Sequence, residues 1–169
     1  INSHLISGAS ILVTDKTIMQ QEFWDFFNRE KATSIAGVPF FYEMLDKLGF
    51  MNMKIPSLEI MTQAGGKLSE DMQKKFGNLC QKRGYRFYIM YGQTEATARI
   101  SYLPAEKCLA KIGSIGIPIP GGNISLIDEF GRVIQEADRV GEIVYAGKNV
   151  MLGYAEDTKD LSLGDQLKG

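Results

Sequence analysis

Two rhythms of apolar residues alternate along this chain, and their alternation predicts its first hundred residues. Short continuous runs, SILVT (10–14), TSIAGV (33–38), LEIMTQ (58–63) and YRFYIM (85–90), read as buried strands. Between them lie segments spaced by three and four. Residues 21–30 put Phe23, Phe26 and Phe27 on one side of an amphipathic helix. Pro39 opens a second helix, at the position where a missing N–H costs nothing; Phe41, Met44, Leu45 and Leu48 form its inner face and Gly49 ends it. Ser69 caps a third, with Glu70 and Asp71 in the first turn and Lys82 and Arg83 in the last, matching the helix dipole at both ends. Met72, Phe76, Leu79 and Cys80 are its apolar residues and Gly84 its stop. Strands alternating with helices predict an α/β fold, a parallel-sheet layer with flanking helices.

The rhythm changes near Pro104. Short strands and turns follow, over 113–119, 123–127, 132–134 and 141–146, with a turn at Asp128-Glu129-Phe130-Gly131. The chain therefore divides into an α/β part, residues 1–110, and a β-rich part, residues 111–169. Neither internal repeats nor low-complexity tracts are present.

Composition narrows the function classes. With 44% hydrophobic and 23% charged residues, the 169-residue chain reads as an ordinary globular protein with room for one core. Lys plus Arg number 19 against 20 Asp plus Glu, so no net positive field favours nucleic acid or an acidic membrane. No apolar stretch approaches the roughly 18 residues of a membrane span. Cys80 and Cys108, with no C-x-x-C, read as buried or incidental thiols of a cytoplasmic protein rather than a disulfide or metal site. His4 is the only histidine, which excludes His-rich metal sites. The chain opens without Met in an apolar segment and stops at Gly169 without a tidy ending, so it is expected to be a piece of a longer polypeptide.

The candidate chemistry sits where strands end, because ligands gather beyond the carboxyl ends of an open parallel sheet. Three ends suit such a crevice: Ala36-Gly37-Val38-Pro39, Gln63-Ala64-Gly65-Gly66-Lys67 and Tyr91-Gly92-Gln93-Thr94-Glu95. Gly65 and Gly66 let a flat base or phosphate approach the backbone. Tyr91 offers a ring for stacking. Thr94 offers a hydroxyl to a phosphate oxygen, and Glu95 the hard oxygen that Mg²⁺ shares with substrate phosphates and water. Each piece also has an ordinary folding role. The glycines suit a plain turn, Tyr91 a packed aromatic, and Thr94 and Glu95 the first turn of a following segment. Their joint occurrence favours a site.

These segments resemble the large domain of adenylate-forming enzymes: acyl-CoA synthetases, peptide-synthetase adenylation domains and luciferases. Ser34-Ile35-Ala36-Gly37-Val38-Pro39 is similar to their substrate-pocket segment and Thr62-Gln63-Ala64-Gly65-Gly66-Lys67-Leu68 to their glycine turn near adenine. Tyr91-Gly92-Gln93-Thr94-Glu95 matches Y-G-x-T-E, and residues 113–121 match G-x-x-G-x-P-x-P-G. Gly141-Glu142-Ile143, Gly147 and Gly153-Tyr154 match G-E-(L/I)-x-x-x-G…G-Y. The resemblance implies a ligase that joins a small carboxylic acid to ATP, giving an acyl-adenylate and pyrophosphate. It then passes the acyl group to the thiol of CoA or of a carrier protein's phosphopantetheine. It implies ATP/AMP and Mg²⁺ as ligands, with Thr94 and Glu95 in the catalytic roles and Glu95 on the metal. Gly65, Gly66, Lys67, Tyr91, Gly92, Gln93 and Thr94 would hold the nucleotide, and Gly37, Val38 and Met90 would line the acyl pocket.

Ile89 departs from the family, which often places a polar side chain there beside the adenine amino group. The family's Ser/Thr/Gly-rich phosphate loop, T-G-D aspartate and C-terminal lysine have no match, and Leu163-Gly164-Asp165 lacks the Thr, so Asp165 is expected at the surface and the chain alone to be inactive. A non-catalytic module that keeps the fold as a scaffold or carrier-binding surface is the alternative. A dinucleotide-binding dehydrogenase is disfavoured by the missing G-x-G-x-x-G.

Overall fold

The computed structural model describes residues 2–162, so Asp165 lies outside the described residues. Helices α1 (Asn2–Ile6) and α2 (Gln21–Arg29) precede strand β1 (Ser34–Gly37), helix α3 (Pro39–Lys47) and strand β2 (Ile60–Gln63). Helix α4 (Glu70–Arg83) then leads to β3 (Arg86–Tyr91), β4 (Ser101–Leu103) and β5 (Ile117–Pro118). These five strands form one sheet in the order β1-β2-β3-β4-β5. The first three are parallel, as the alternation with helices requires, whereas β4 and β5 run antiparallel. Strands β6 (Asn123–Ile127) and β7 (Glu142–Ala146) form a separate antiparallel pair.

Local signals act as expected at the helix ends. Ser69 Oγ accepts from the Met72 N–H at 3.3 Å, and Gly84 takes the left-handed conformation (φ 73°) that closes α4. The core lies between the helices and the parallel strands. It runs from Trp24 and Phe27 of α2 through Tyr42 and Leu45 of α3, Phe50 and Met61 to Phe76 and Cys80 of α4 and Phe87 of β3. Tyr42 and Phe76 meet edge to face at 4.9 Å, a favoured aromatic geometry. Two polar tips are satisfied inside this cluster: Tyr42 Oη donates to the Thr62 carbonyl at 2.7 Å, and Trp24 Nε1 to the Ile18 carbonyl at 2.8 Å.

Four expectations are corrected. Residues 10–14 form no strand: among the described residues β1 pairs only with β2, its outer edge stays open, and Val13 is 82% exposed. On α2 the buried residues are Trp24 and Phe27, with Phe23 and Phe26 half-buried. Within 113–119 only Ile117 and Pro118 are strand, and they extend the first sheet rather than the second. Residues 132–134 shrink to one bridge, between Val133 and Ile127.

Candidate functional site at the sheet edge

The register of the parallel strands sets the site. Gly37 stands opposite Gln63, and Gln63 opposite Ile89, so β1 and β2 end at one level, β3 runs two residues further, and the three loops leave on the same edge. Gly65 (φ 76°) and Gly66 (φ 155°) take backbone conformations that L residues rarely adopt. They also sit close to the first loop: a Cβ on Gly65 would lie 3.1 Å from Val38, and one on Gly66 3.1 Å from Pro39. Gln63, fully buried, fastens this turn by donating through Nε2 to the Gly66 carbonyl at 2.8 Å and the Ala64 carbonyl at 3.2 Å.

The third loop folds back on itself. A Cβ on Gly92 would run into the Ala98 carbonyl and the Arg99 backbone, so only glycine permits the return. After Gln93 the chain makes a three-residue 3₁₀ turn, Thr94–Ala96, followed by two consecutive left-handed residues, Thr97 (φ 48°) and Ala98 (φ 66°).

A cleft of about 520 Å³ lies between the first and third loops and gathers Gly37, Val38, Gly65, Gly92, Gln93 and Thr94, with Arg99 at its wall. Beside it a cavity of about 340 Å³ is lined by Gly65, Gly66, Lys67, Met90, Tyr91 and Gly92. Met90, grouped with Gly37 and Val38 by the resemblance, lines this second cavity. Gly65 and Gly92 border both spaces. Neither Thr94 nor Glu95 is in the core: Thr94 is exposed and Glu95 half-buried. Glu95 lines neither space and borders a smaller hollow of about 120 Å³ with Tyr91, Gln93, Ile143 and Tyr145.

The Glu95 carboxylate accepts a short hydrogen bond from the Tyr154 hydroxyl. That bond, aided by a backbone hydrogen bond at Glu95, holds the carboxyl below its ordinary pKa, and the same bond raises the Tyr154 phenol. Among the described residues no group of three or more His, Cys, Asp and Glu could form a protein-only metal cage. A single accessible carboxylate is the donor set Mg²⁺ uses when phosphates and water complete its shell, so Glu95 fits that ion.

Some residues that shape the site were missed in the sequence. Tyr154, noted in the sequence only as part of a motif, and Asn149 reach the third loop from more than 50 positions along the chain, while Tyr145 acts through Asn149, four positions on; no local periodicity marks these contacts. The glycine-proline stretch packs closely on the sheet, where a Cβ on Gly116 would run into the Tyr102 carbonyl and Ser101 Oγ donates to the Ile115 carbonyl at 2.7 Å, and its Gly113, Ser114 and Ile115 also line the 340 Å³ cavity.

Comparison with known proteins places these features in a group. A family model described as "AMP-binding enzyme" matches residues 1–155. The 2-succinylbenzoate–CoA ligase of Enterococcus faecalis is 31% identical over 150 residues, covering 89% of this chain and 30% of the relative. An acyl-CoA ligase of Penicillium expansum is 27% identical over 158 residues, covering 92% and 32%. Among solved structures, the O-succinylbenzoate coenzyme A synthetase of Bacillus subtilis in complex with AMP superposes with a TM-score of 0.75 at 25% identity, covering 90% of this chain and 30% of that one. The same enzyme in complex with ATP and a magnesium ion gives 0.73 at 25%, covering 89% and 30%. The chain thus spans less than a third of these relatives.

Proposed function

Because the chain belongs to the AMP-binding enzyme family, we propose that it is the central part of the large domain of an ATP-dependent acyl-CoA ligase. A carboxylate oxygen of the acid attacks the α-phosphorus of ATP, the bond to the bridging oxygen breaks, and pyrophosphate leaves. A thiol of CoA or of a carrier's phosphopantetheine then attacks the acyl carbonyl, gives up its proton, and displaces AMP. Chemistry of this kind needs placement and charge stabilisation more than covalent help.

The residues divide this work by position. Gly65, Gly66 and Tyr91 receive the adenine in the smaller cavity, with Lys67 and Gly92 on its lining. Gly37 and Val38 receive the acyl group in the larger cleft, where Gln93 lines the loop and the Thr94 hydroxyl donates to an α-phosphate oxygen. Met90 stands on the nucleotide side. Glu95 holds Mg²⁺, which when bound neutralises phosphate charge. The two buried free thiols fit a reducing compartment, and we place the protein in the cytosol on that ground.

The observation that carries this reading is the shared level of Gly37, Gln63 and Ile89, which brings three loops of the right chemistry to one edge. A panel of small carboxylic acids offered to the complete polypeptide, with ATP-dependent pyrophosphate release as readout, tests it. At least one acid should stimulate release, and Glu95→Ala should lower it on the order of 100-fold, the scale on which lost charge stabilisation acts. Silence across the panel would favour the scaffold alternative.

A further inference from the structure

We propose that Asn149 is a positioning residue that clasps the loop bearing Thr94 and Glu95, so that the β6–β7 unit sets the geometry of the nucleotide and metal contacts; this rests on the function proposed above.

The loop has reason to need a clasp. Thr97 and Ala98 are consecutive left-handed residues without glycine, a conformation that L residues disfavour. Asn149 brackets this pair. Its Nδ2 donates to the Ala96 carbonyl at 2.6 Å and to the Arg99 carbonyl at 2.7 Å, spanning the two strained residues with one amide nitrogen. Its Oδ1 accepts from the Tyr145 hydroxyl at 2.7 Å, which fixes the amide's orientation, and its carbonyl accepts from Thr97 Oγ1 at 2.6 Å. A side-chain amide suits this set because it offers two donors and an acceptor on one short stem. Aspartate has nearly the same shape but would set a charge against two carbonyls.

Neighbouring contacts point the same way. The Met151 N–H donates to the Glu95 carbonyl at 2.8 Å, and Tyr154 holds the Glu95 side chain. Gly147 leaves room for the clasp: a Cβ there would lie 2.6 Å from both Asn149 Oδ1 and Tyr145 Oη. The segment following β7 therefore grips the third loop at Glu95, Ala96, Thr97 and Arg99, directly beside the two residues proposed to touch phosphate and metal. Gly37 and Val38 receive none of these bonds, and the acyl side meets the clasp only across the cleft, where Arg99 stands at the wall.

The test uses Asn149→Asp in the complete polypeptide, with Tyr145→Phe as a milder variant should the first fail to fold. Outer partners of metal-site residues typically change affinity by about 10- to 100-fold, so Asn149→Asp should raise KM for ATP·Mg²⁺ about tenfold or more. KM for the carboxylic acid should rise by less than KM for ATP·Mg²⁺, and Tyr145→Phe should shift KM for ATP·Mg²⁺ in the same direction by less. An unchanged KM for ATP·Mg²⁺ in a folded variant, or a fall in kcat alone, would overturn the proposal. Amide hydrogen exchange over residues 93–99 separates this claim from the parent one, since it needs no turnover. Faster exchange there in Asn149→Asp, with α4 unchanged, supports the clasp even if no acid is activated, and unaltered exchange contradicts it.

Discussion

Strands β2 and β6 are both short and rich in apolar residues, IMTQ and NISLI, yet Met61 of β2 is fully buried and no residue of β6 is. The difference lies in what covers them. Helices α3 and α4 bring Tyr42, Phe76 and Leu79 onto the parallel strands, whereas β6 and β7 pair over five residues and contribute none to that buried cluster. Beyond Cys108 no described residue is buried, and Ile143 and Val144 of β7 are 41% and 38% exposed. The sheet half is thus held by burial. Polar contacts from Asn149, Met151 and Tyr154 cross from the hairpin half to it, with Tyr145 orienting Asn149. The candidate site lies on the seam, between strand ends on one side and a loop hydrogen-bonded to the hairpin side on the other.

Truncation in the two halves should separate them most sharply. Phe76→Ala removes a fully buried ring at the centre of the aromatic cluster and should cost about 3–5 kcal/mol in denaturant unfolding. Val144→Ala should cost no more than about 1 kcal/mol. Equal costs would break the comparison. Thiol labelling follows the sheet half alone, because burial pushes the Cys80 thiol up to about 12 and raises Cys108 as well, so neither should react until that half opens.

A smaller contrast concerns glycines. Gly92→Ala forces a methyl into the backbone of Ala98 and Arg99, and should destabilise by roughly 1–3 kcal/mol. Gly131 (φ 76°), in the hairpin turn, has open space around the Cβ position, so Gly131→Ala should lose only about 1 kcal/mol from its left-handed backbone. Thermal midpoints of both variants compare steric closure at the site with conformational cost alone.

The finest test is pH. The Glu95 carboxyl is held below its ordinary 4.5, so its contribution is complete above that pH and is lost as pH falls through the lowered value. The Tyr154 phenol is raised above 10.0, so its contribution is complete below pH 10.0 and is lost as pH rises through the raised value. In Tyr154→Phe the Glu95 carboxyl should titrate higher than in the parent by carbon NMR. Coincident midpoints would show that the phenol does not hold it.

Local chemistry explains what could be read without coordinates. Pro39, Ser69, Gly49 and Gly84 mark helix ends by their own conformational preferences, and the runs that became β1, β2 and β3 are flanked by such signals. The Gly65-Gly66 turn was legible for the same reason. Apolar spacing alone does not mark Trp24 and Tyr42 as core, since each carries a polar tip and only the fold supplies the carbonyls of Ile18 and Thr62 that satisfy them. Residues 10–14 border the same crevice as β1 without joining its open edge, an outcome that an apolar run alone does not distinguish from a strand. Strand β4, three residues long, is too short to show a period. Asn149 has no local signature, since its partners lie about fifty residues upstream.

Everything proposed for the site depends on nucleotide lying where the β2 and β3 loops meet, and hydrogen exchange of the complete polypeptide with and without AMP measures this directly. Slowed exchange over residues 64–67 and 91–95 is expected on adding AMP, with residues 21–30 unchanged. Protection confined to the separate crevice between residues 9–14 and α2, with none at 91–95, would contradict it.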